Sequence, residues 1–599
     1  MKFSRFSLVV ATATFVFPAL ACPPDGEPVE KVVTPEEIEK KEEKTDKKAP
    51  TEKVEKTKEV KKKAPPEKVE KKAPPKKVET KEEKTGLPEK PEKPGGLRIL
   101  IAGGGYSPSG NQISLESNVK YFRRVLDMLG LGEAKTHTLF ADGRDKGRDL
   151  QYADPAFRIP EMNRVLAELI GSTRGLQNQY RTNNLEPDGP ALIADLDKWF
   201  DATAKDSGDG VLLYFTGHGG KGDKKTPDNT TANLWNGQKV KVRDLVKRLN
   251  KLPKEKPVIL VMVQCYSGGF ANVIFKDGDP KKGISDHARA GFFATVQDRV
   301  AAGCTPDIRE ENYREYSTSF WEALCGESRV GKTVDKPDFD GDGRTSYAEA
   351  HAHVILTSNT IDVPVKTTDA FLRRFSKTAP PKKSTPDKKE DANATAAKKC
   401  GEEAETSEDW LTVETDFEKI IEHASTVERA TLEGLSAKLG LKGEKRAKAA
   451  RDLSKKLEEQ RKKLAEQKKK PAAEIKRIKT KLSSEIRKRW PEVGNPYHPT
   501  ARALFEPEQA KEVLALVKRD GEWGKYRKAK GEISGLDKKR FELDRKKVKC
   551  MRFLRALENV VLEANLPLVA KDDVLKRFEK LRALENETLG GKTKEANPG

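Results

Sequence analysis

Two strongly apolar segments of this 599-residue chain each run into a residue that can take part in nucleophilic catalysis. The apolar run 211–215 leads into Thr-Gly-His-Gly-Gly, which contains His218, and the apolar run 258–263 leads into Gln-Cys-Tyr-Ser-Gly-Gly, which contains Cys265. A thiol attacks a carbonyl carbon as its thiolate, and a neighbouring imidazole can transfer the proton. If the two strands are parallel neighbours, His218 and Cys265 emerge at one edge of the sheet. The pattern therefore predicts a Cys/His dyad.

The order and spacing of these two residues resemble the caspase-like cysteine peptidases, the clan that holds caspases, metacaspases, legumains and gingipains. His218 precedes Cys265 by 47 residues, and caspases place their His about 50 residues before the Cys. The resemblance covers residues 97–376, and Val-Gln-Cys-Tyr-Ser-Gly is closer to metacaspase and legumain sequences than to the caspase signature. It implies a cysteine-type endopeptidase in which Cys265 is the nucleophile and His218 the general acid and base. The backbone N–H groups of Gly219 and Cys265 would form the oxyanion hole.

The same resemblance builds the first substrate pocket from the loop after the first strand, residues 103–117, and from the segment after the nucleophile strand, residues 292–304. The second segment contains Asp298 beside Arg299. A basic substrate residue paired with Asp298 and an acidic or Asn residue paired with Arg299 are both open. Adjacent opposite charges are also a common solvated surface feature, so the sequence does not select a substrate residue.

Residues 338–349, Asp-Phe-Asp-Gly-Asp-Gly-Arg-Thr-Ser-Tyr-Ala-Glu, match the twelve-position calcium loop of EF-hands. Carboxylates fall at positions 1, 3, 5 and 12, and glycine at position 6 permits the sharp turn. The candidate ligands, with the backbone carbonyl of position 7, are Asp338, Asp340, Asp342, Arg344, Ser346 and Glu349. We expect a half EF-hand whose Ca²⁺ stiffens the protein, with an acidic turn that binds no metal as the alternative. No organic cofactor is predicted.

Short apolar strands alternate with helical segments between residues 97 and 376, which predicts an α/β fold with a mostly parallel, caspase-like sheet and helices on both faces. Strands are expected at residues 97–102, 137–140, 210–215, 257–264 and 291–296. Helices are expected at residues 115–129, 160–170, 190–204, 243–250, 319–324 and 347–356. A separate all-α basic region, residues 409–599, should follow a linker at 377–408.

The N-terminus has the pattern of an export signal. Basic residues precede the apolar run 7–20, and Ala-Leu-Ala then stands directly before Cys22. A cysteine at this place resembles the lipobox of bacterial lipoproteins and makes Cys22 a candidate for lipidation. The signal, residues 1–22, precedes a disordered Lys/Glu/Pro linker, residues 23–96. We expect an exported protein of the periplasm or cell surface, with a lipid anchor at Cys22 as one option.

Charge is distributed unevenly, with net values of +5, +2 and +14 for residues 1–100, 101–380 and 381–599. The basic helical region is therefore expected to bind an anionic membrane or envelope surface, although solvated lysine-rich helices are equally consistent with it. No nucleic-acid partner is expected, because no zinc-finger or RNP-like pattern is present. Among the remaining cysteines, we expect a disulfide between Cys304 and Cys325, which lie in the same domain.

These features together predict an exported, calcium-stabilised cysteine endopeptidase that acts on protein or peptide substrates. Two alternatives stay open at this point. The first is a non-catalytic Ca²⁺-binding surface scaffold with a partner-binding helical module. The second is a legumain-like transpeptidase that uses the same Cys/His pair.

Overall fold

The computed structural model describes residues 96–173, 175–379 and 410–590, all within one compact unit of the chain. The predicted signal peptide, residues 1–22, lies outside the described residues. So do the linker 23–96, except for Gly96, and the linker 377–408 beyond Ala379. The structure confirms a mixed α/β fold with a mostly parallel sheet and a C-terminal helical region.

A main sheet contains six strands in the order β10-β9-β8-β5-β1-β2, and β5 extends beyond it to pair with β6, which pairs with β7. All pairs within the six are parallel except β9 with β10. A separate two-stranded sheet joins β3 and β4. The strands are β1 (Leu97–Gly104), β2 (Lys135–Phe140), β3 (Leu150–Tyr152), β4 (Gln179–Arg181), β5 (Gly210–Gly220), β6 (Thr231–Asn233), β7 (Lys239–Lys241), β8 (Val258–Met262), β9 (Arg289–Phe293) and β10 (Val365–Lys366).

Among the described residues, seven α-helices connect and cover these strands. They are α1 (Ile113–Met128), α2 (Glu161–Leu169), α3 (Ile193–Lys205), α4 (Val242–Leu249), α5 (Tyr316–Cys325), α6 (Tyr347–Thr357) and α7 (Thr367–Phe375). Every residue of β8 and β9 is buried. Since successive side chains of a strand point to opposite faces, the sheet is covered on both sides at these strands. The expected strands and helices are therefore present, with ends that differ by a few residues.

The strand that carries His218 is longer than its apolar run. Five apolar residues predict a strand that ends at Phe215, but β5 continues to Gly220. His218 lies in this extension, opposite Asn233 of β6 in antiparallel register. The extension was missed because three of its five residues, Thr-Gly-His-Gly-Gly, are glycine, which is depleted in strands; pairing with β6 keeps them extended.

Beyond residue 410 the structure describes only helices and their connections. They are α8 (Phe417–Glu422), α9 (Thr426–Leu439), α10 (Arg446–Gln467), α11 (Lys469–Arg489), α12 (Pro499–Ala503), α13 (Pro507–Lys518), α14 (Glu522–Val569) and α15 (Asp572–Glu585). From the sequence, Pro471 predicts a helix break in this region, but the chain stays helical from α10 into α11, since Lys468 keeps helical backbone angles and donates its N–H to the carbonyl oxygen of Leu464. Pro471 is the third residue of α11, where the backbone N–H is not needed for a helical hydrogen bond.

The helical region is not separate in space, which corrects the prediction from sequence. Side chains of α14 and α15 and of the residue beyond them enter the hydrophobic core of the sheet; these are Val548, Leu562, Leu566, Phe578, Leu581, Leu584 and Leu589. A second shared cluster joins α2 to α11, α13 and the start of α14. These helices contain few apolar residues, but those few pack into the shared core. Because charged residues dominate the average composition, the sequence suggests a solvated module.

A buried carboxylate also connects the two parts. Glu585, at the end of α15, is fully buried and forms an ion pair with Lys366, with an Nζ–Oε2 distance of 2.7 Å. Its oxygens also accept hydrogen bonds from Thr367 and from the backbone N–H and hydroxyl of Thr368. Glu585 therefore caps the N-terminus of α7 from another part of the chain. Among the described residues, no helix is long and apolar enough to cross a membrane.

We expect the sheet core to lose stability when α15 is altered. Phe578 is nearly buried and its ring lies 5.3 Å from that of Phe371. Phe578→Ala should lower the free energy of unfolding by about 3–5 kcal/mol, because it leaves a cavity. Urea unfolding followed by tryptophan fluorescence measures this change. Leu568→Ala, at an exposed position of α14, is the control and should change it by less than about 0.5 kcal/mol. An unchanged midpoint for Phe578→Ala would contradict the shared core.

Candidate active site and calcium loop

The register of β5 and β8 places His218 and Cys265 at the same level of the sheet edge. Phe215 and Met262 are paired residues of these two parallel strands. His218 and Cys265 each follow by three residues. The segments stay in contact beyond the paired residues, because a Cβ atom at Gly219 would overlap the carbonyl oxygen of Cys265. Only glycine fits at this position, so the sheet brings the two predicted catalytic segments together.

Loop residues between β1 and α1 orient the imidazole of His218. Its Nε2 lies 2.8 Å from the carbonyl oxygen of Gly110 and 3.0 Å from Oε1 of Gln112. Because a carbonyl oxygen only accepts, Nε2 carries the hydrogen and donates it, which leaves Nδ1 of the neutral ring as a proton acceptor. The ring of Tyr106 packs edge-on at 5.3 Å. Burial lowers the pKa of His218, and the bond to Gly110 partly opposes this change.

The thiol of Cys265 is held against the segment that follows β9. Ala301 N–H donates to Sγ over 3.4 Å, and the Ala301 carbonyl oxygen lies 3.9 Å from the same sulfur. Burial raises the pKa of Cys265 to about 11, and the nearby carboxyl of Asp362 adds to this effect. At neutral pH the pair therefore rests as a thiol and a neutral imidazole, and proton transfer must accompany nucleophilic attack.

Backbone geometry around Cys265 is unusual. Tyr266 has a left-handed backbone with φ of 62° and donates its N–H to the carbonyl oxygen of Arg299 over 2.8 Å. Such conformations are costly for non-glycine residues and concentrate at functional sites. Of the two predicted oxyanion donors, Gly219 lies opposite Ala232 in the β5–β6 pair, and Cys265 lies three residues beyond the paired Met262.

The two candidate substrate-binding residues differ in environment. Asp298 is exposed, whereas Arg299 is half-buried and places Nη2 3.5 Å from the carbonyl oxygen of Ile361. Burial lowers the pKa of Arg299. Its Nε has no hydrogen-bond partner among the described residues. These contacts direct Arg299 toward the loop before β10, and the choice between a basic and an acidic substrate residue stays open.

Cys304 lies near the candidate Cys/His pair, which the sequence did not predict. Its Sγ is 3.7 Å from the carbonyl oxygen of Gly217, the residue before His218. The expected disulfide between Cys304 and Cys325 is wrong, since both are free thiols in the structure. Cys325 ends α5, and its Sγ lies 3.2 Å from the carbonyl oxygen of Glu327. Cys304 and Cys325 belong to the same domain, but their sulfurs do not form a bond.

Two further buried residues near the thiol were missed. Asp362 is fully buried, and its Oδ1 accepts the N–H of Ala302 over 2.6 Å while Oδ2 accepts the hydroxyl of Thr360 over 2.9 Å. Burial raises its pKa to about 6. Gln264 is also fully buried, and neither amide atom has a partner among the described residues. Gln264 could have been identified from the sequence, because it is a polar residue at the end of an apolar run. No sequence pattern marked Asp362.

The candidate calcium loop, residues 338–349, brings three of its six candidate ligands together. Asp338, Asp340 and Asp342 are exposed, and each offers a carboxylate oxygen within 4.8 Å of the others. Asp338 accepts the backbone N–H groups of Gly341 and Gly343. Gly343 has φ of 78°, as the sharp turn at position 6 requires. A cluster of carboxylate oxygens suits a hard cation such as Ca²⁺.

The other three candidate ligands make protein contacts in this structure. Glu349 is buried and accepts the N–H of Phe339 at Oε1 and the N–H and hydroxyl of Ser346 at Oε2. Ser346 and Glu349 thereby form a capping box at the start of α6. The side chain of Arg344 donates to Asp342. The position-12 carboxylate thus joins the loop to α6, although it lies outside the cluster of three.

A comparison with models of known protein families finds no match, and a search of curated proteins finds none either. The functional inference therefore depends on the residues and their geometry.

The acidity of the thiol predicts a pH profile. Below its pKa the thiolate fraction rises about tenfold per pH unit, so alkylation of Cys265 by iodoacetamide should keep rising from pH 7 to beyond pH 9. A short cysteine peptide with blocked termini is the control and should level off above the ordinary cysteine pKa of about 8.5. Mass spectrometry of the Cys265 peptide measures the rate. A plateau at pH 8 would contradict a buried, weakly acidic thiol.

Calcium should stabilise the folded chain through the acidic cluster. At a Ca²⁺ concentration 100 times the dissociation constant, the free energy of unfolding should rise by about 2.7 kcal/mol. Asp340→Asn should remove most of this gain, since it removes a charged ligand. Asp335→Asn, at an exposed position outside the loop, should retain it. Thermal unfolding with Ca²⁺ or with a chelator measures the effect, and equal gains for both variants would exclude this site.

Proposed function

We propose that this protein is an exported cysteine endopeptidase that hydrolyses peptide bonds with a Cys265/His218 dyad. One observation carries the proposal: β5 and β8 are paired neighbours in the same sheet, and their continuations meet at Gly219 and Cys265. The orientation of His218 by the Gly110 carbonyl supports it further. The resemblance to caspase-like peptidases, which covers the same segments, is the reason to prefer peptide bonds over other acyl groups.

The geometry suggests the following proton transfers. Nδ1 of His218 accepts the thiol proton as the Cys265 sulfur attacks the carbonyl carbon of the substrate. The Gly110 carbonyl stabilises the imidazolium that forms, because Nε2 remains a donor to it. The N–H groups of Gly219 and Cys265 receive the oxyanion. The imidazolium then protonates the leaving amine, and His218 activates the water that hydrolyses the thioester.

A bound Ca²⁺ would act on stability in this proposal and would take no part in the proton transfers. Asp338, Asp340 and Asp342 would hold it, next to the capping box that begins α6. Neutralising three nearby carboxylates would relieve their mutual repulsion and fix the loop. The N-terminal end of α6 would then be better ordered.

The helical region would provide contact with anionic surfaces. Lysines of α10 and α11 on both sides of Lys468 are exposed, and these include Lys462, Lys463, Lys470 and Lys476. The two helices run end to end along α14, because Arg461 pairs with Asp544, Lys468 with Asp537 and Arg477 with Glu522. A run of exposed like charges along these helices attracts anionic lipid headgroups or acidic envelope polymers. Export to the periplasm or cell surface, with lipidation at Cys22, remains a prediction from residues outside the described part of the chain.

Peptide cleavage by the full chain tests the dyad. Fluorogenic peptides that vary the residue before the scissile bond should be cleaved by the wild type. Cys265→Ala and His218→Ala should each lower kcat by about 10⁴-fold or more, because each removes a member of the reacting pair. Cys325→Ser, which replaces a half-buried free thiol on α5, is the matched control and should retain activity.

The other outcomes separate the alternatives. Cleavage that survives in Cys265→Ala would show that another nucleophile or a contaminant acts. Silence of folded wild-type protein toward every peptide, with and without Ca²⁺, would favour the non-catalytic scaffold. Ligated product after addition of an amine nucleophile would instead indicate a transpeptidase.

A further inference from the structure

A single arginine of the helical region holds the loop between α6 and β10. Arg552 of α14 is only 2% exposed. Its guanidinium donates to the carbonyl oxygens of Ile355 at 3.0 Å, Ser358 at 2.8 Å and Asp362 at 2.8 Å. It also donates to the carbonyl and hydroxyl oxygens of Thr360, at 3.4 and 3.1 Å. Five hydrogen bonds from one side chain therefore fix residues 355–362.

The acceptors of Arg552 are backbone carbonyls and a hydroxyl. Burial lowers the pKa of Arg552 to about 10, so the group is still charged at neutral pH. A buried charge without such bonds would be strongly destabilising. Each bond is therefore needed to hold the guanidinium in place, and the loop is correspondingly constrained. Arg552 also satisfies a carbonyl in the last turn of α6, that of Ile355, and the carbonyl just beyond the helix, that of Ser358.

The constrained loop is connected to the nucleophile by two short contacts. Asp362 presents Oδ1 to the N–H of Ala302 over 2.6 Å. The preceding residue, Ala301, donates its own N–H to Sγ of Cys265 over 3.4 Å. The path from Arg552 to the sulfur thus consists of one hydrogen bond to Asp362, one from Ala302 and one from Ala301.

We propose that Arg552 is a positioning residue for Cys265: by fixing residues 355–362 it keeps Asp362 bound to Ala302 and the N–H of Ala301 directed at the sulfur. This inference rests on the proposed role of Cys265 as nucleophile. An N–H donor stabilises a thiolate more than a thiol, since bonds to charged acceptors are stronger. Loss of Arg552 should therefore make the thiol less acidic and less reactive.

Other titratable groups near the sulfur also influence the acidity of the Cys265 thiol. They are Asp362 and Cys304 on the covering segments and Tyr266 next in sequence, while His218 lies on the neighbouring strand at the same level of the sheet edge. None of the described hydrogen bonds of Cys265 involves α14. An effect of Arg552 on the thiol must therefore pass through the 355–362 loop.

The experiment compares the buried Arg552 with the half-buried Arg555 of the same helix in the full chain. Arg552→Lys keeps the positive charge but cannot make five bonds. Arg555→Lys is the matched control, because Arg555 lies one turn further along α14 and binds Asp369 of α7 at 3.1 Å, away from the 355–362 loop. Iodoacetamide modification of Cys265 is followed by mass spectrometry of its peptide between pH 6 and pH 10. Arg552→Lys should slow modification about tenfold at pH 8, and Arg555→Lys should stay within about twofold of the wild type.

Overlapping pH profiles for wild type and Arg552→Lys would overturn the proposal, and so would equal slowing in both variants. If Arg552→Lys does not fold by circular dichroism, Thr360→Val replaces it, since that change removes one acceptor of Arg552 and the Thr360–Asp362 bond. Thr360→Val should also slow modification, and an unchanged profile would again overturn the proposal.

Peptide cleavage by the wild type is measured separately. If the Arg552→Lys profile shifts but the wild type cleaves no peptide, the result supports the positioning role of Arg552 and refutes the peptidase proposal. If the wild type cleaves peptides but the profiles do not shift, the peptidase proposal is supported and the positioning role is refuted.

Discussion

Parallel pairing of β5 with β8 is the constraint on which the candidate site depends. Hydrogen-bonded neighbours in a sheet lie about 4.8 Å apart, and the register sets Phe215 beside Met262. Equal offsets of three residues then bring His218 and Cys265 to the same level. A slip of one residue would turn alternate side chains to the opposite face and separate the pair. The apolar residues of both strands are buried, so such a slip would also expose the core.

The pairing of β5 with β8 does not by itself set the protonation and hydrogen bonding of His218 and Cys265. The imidazole needs the Gly110 carbonyl to determine which nitrogen carries the hydrogen, and the thiol needs an N–H donor because burial raises its pKa. Both partners come from connections between strands and helices. This division is general in α/β proteins, in which a rigid sheet provides the framework and loops at its carboxyl edge supply the chemistry.

The helical region has two kinds of charged residue that composition does not distinguish. Most of its lysines and arginines lie at the surface or in exposed ion pairs, which contribute little to stability. A few charged residues are buried at the boundary with the sheet, among them Arg552 and Glu585. These few bind backbone groups of the α/β part and cap its helices. The region therefore completes the core and the loops of the α/β part, in addition to any role in binding a surface.

The amino-acid sequence by itself determined the alternation of strands and helices, the two segments that carry His218 and Cys265, and the acidic loop at 338–349. These follow from local periodicity and from spacing along the chain, which a sequence displays directly. Tertiary structure alone decided the strand order, the extension of β5, the free state of Cys304 and Cys325, and the contacts of Asp362 and Arg552. Asp362 and Arg552 are 190 residues apart in the chain, and no local preference encodes a contact at such a separation. It arises only when many weak preferences are satisfied together in one packed arrangement.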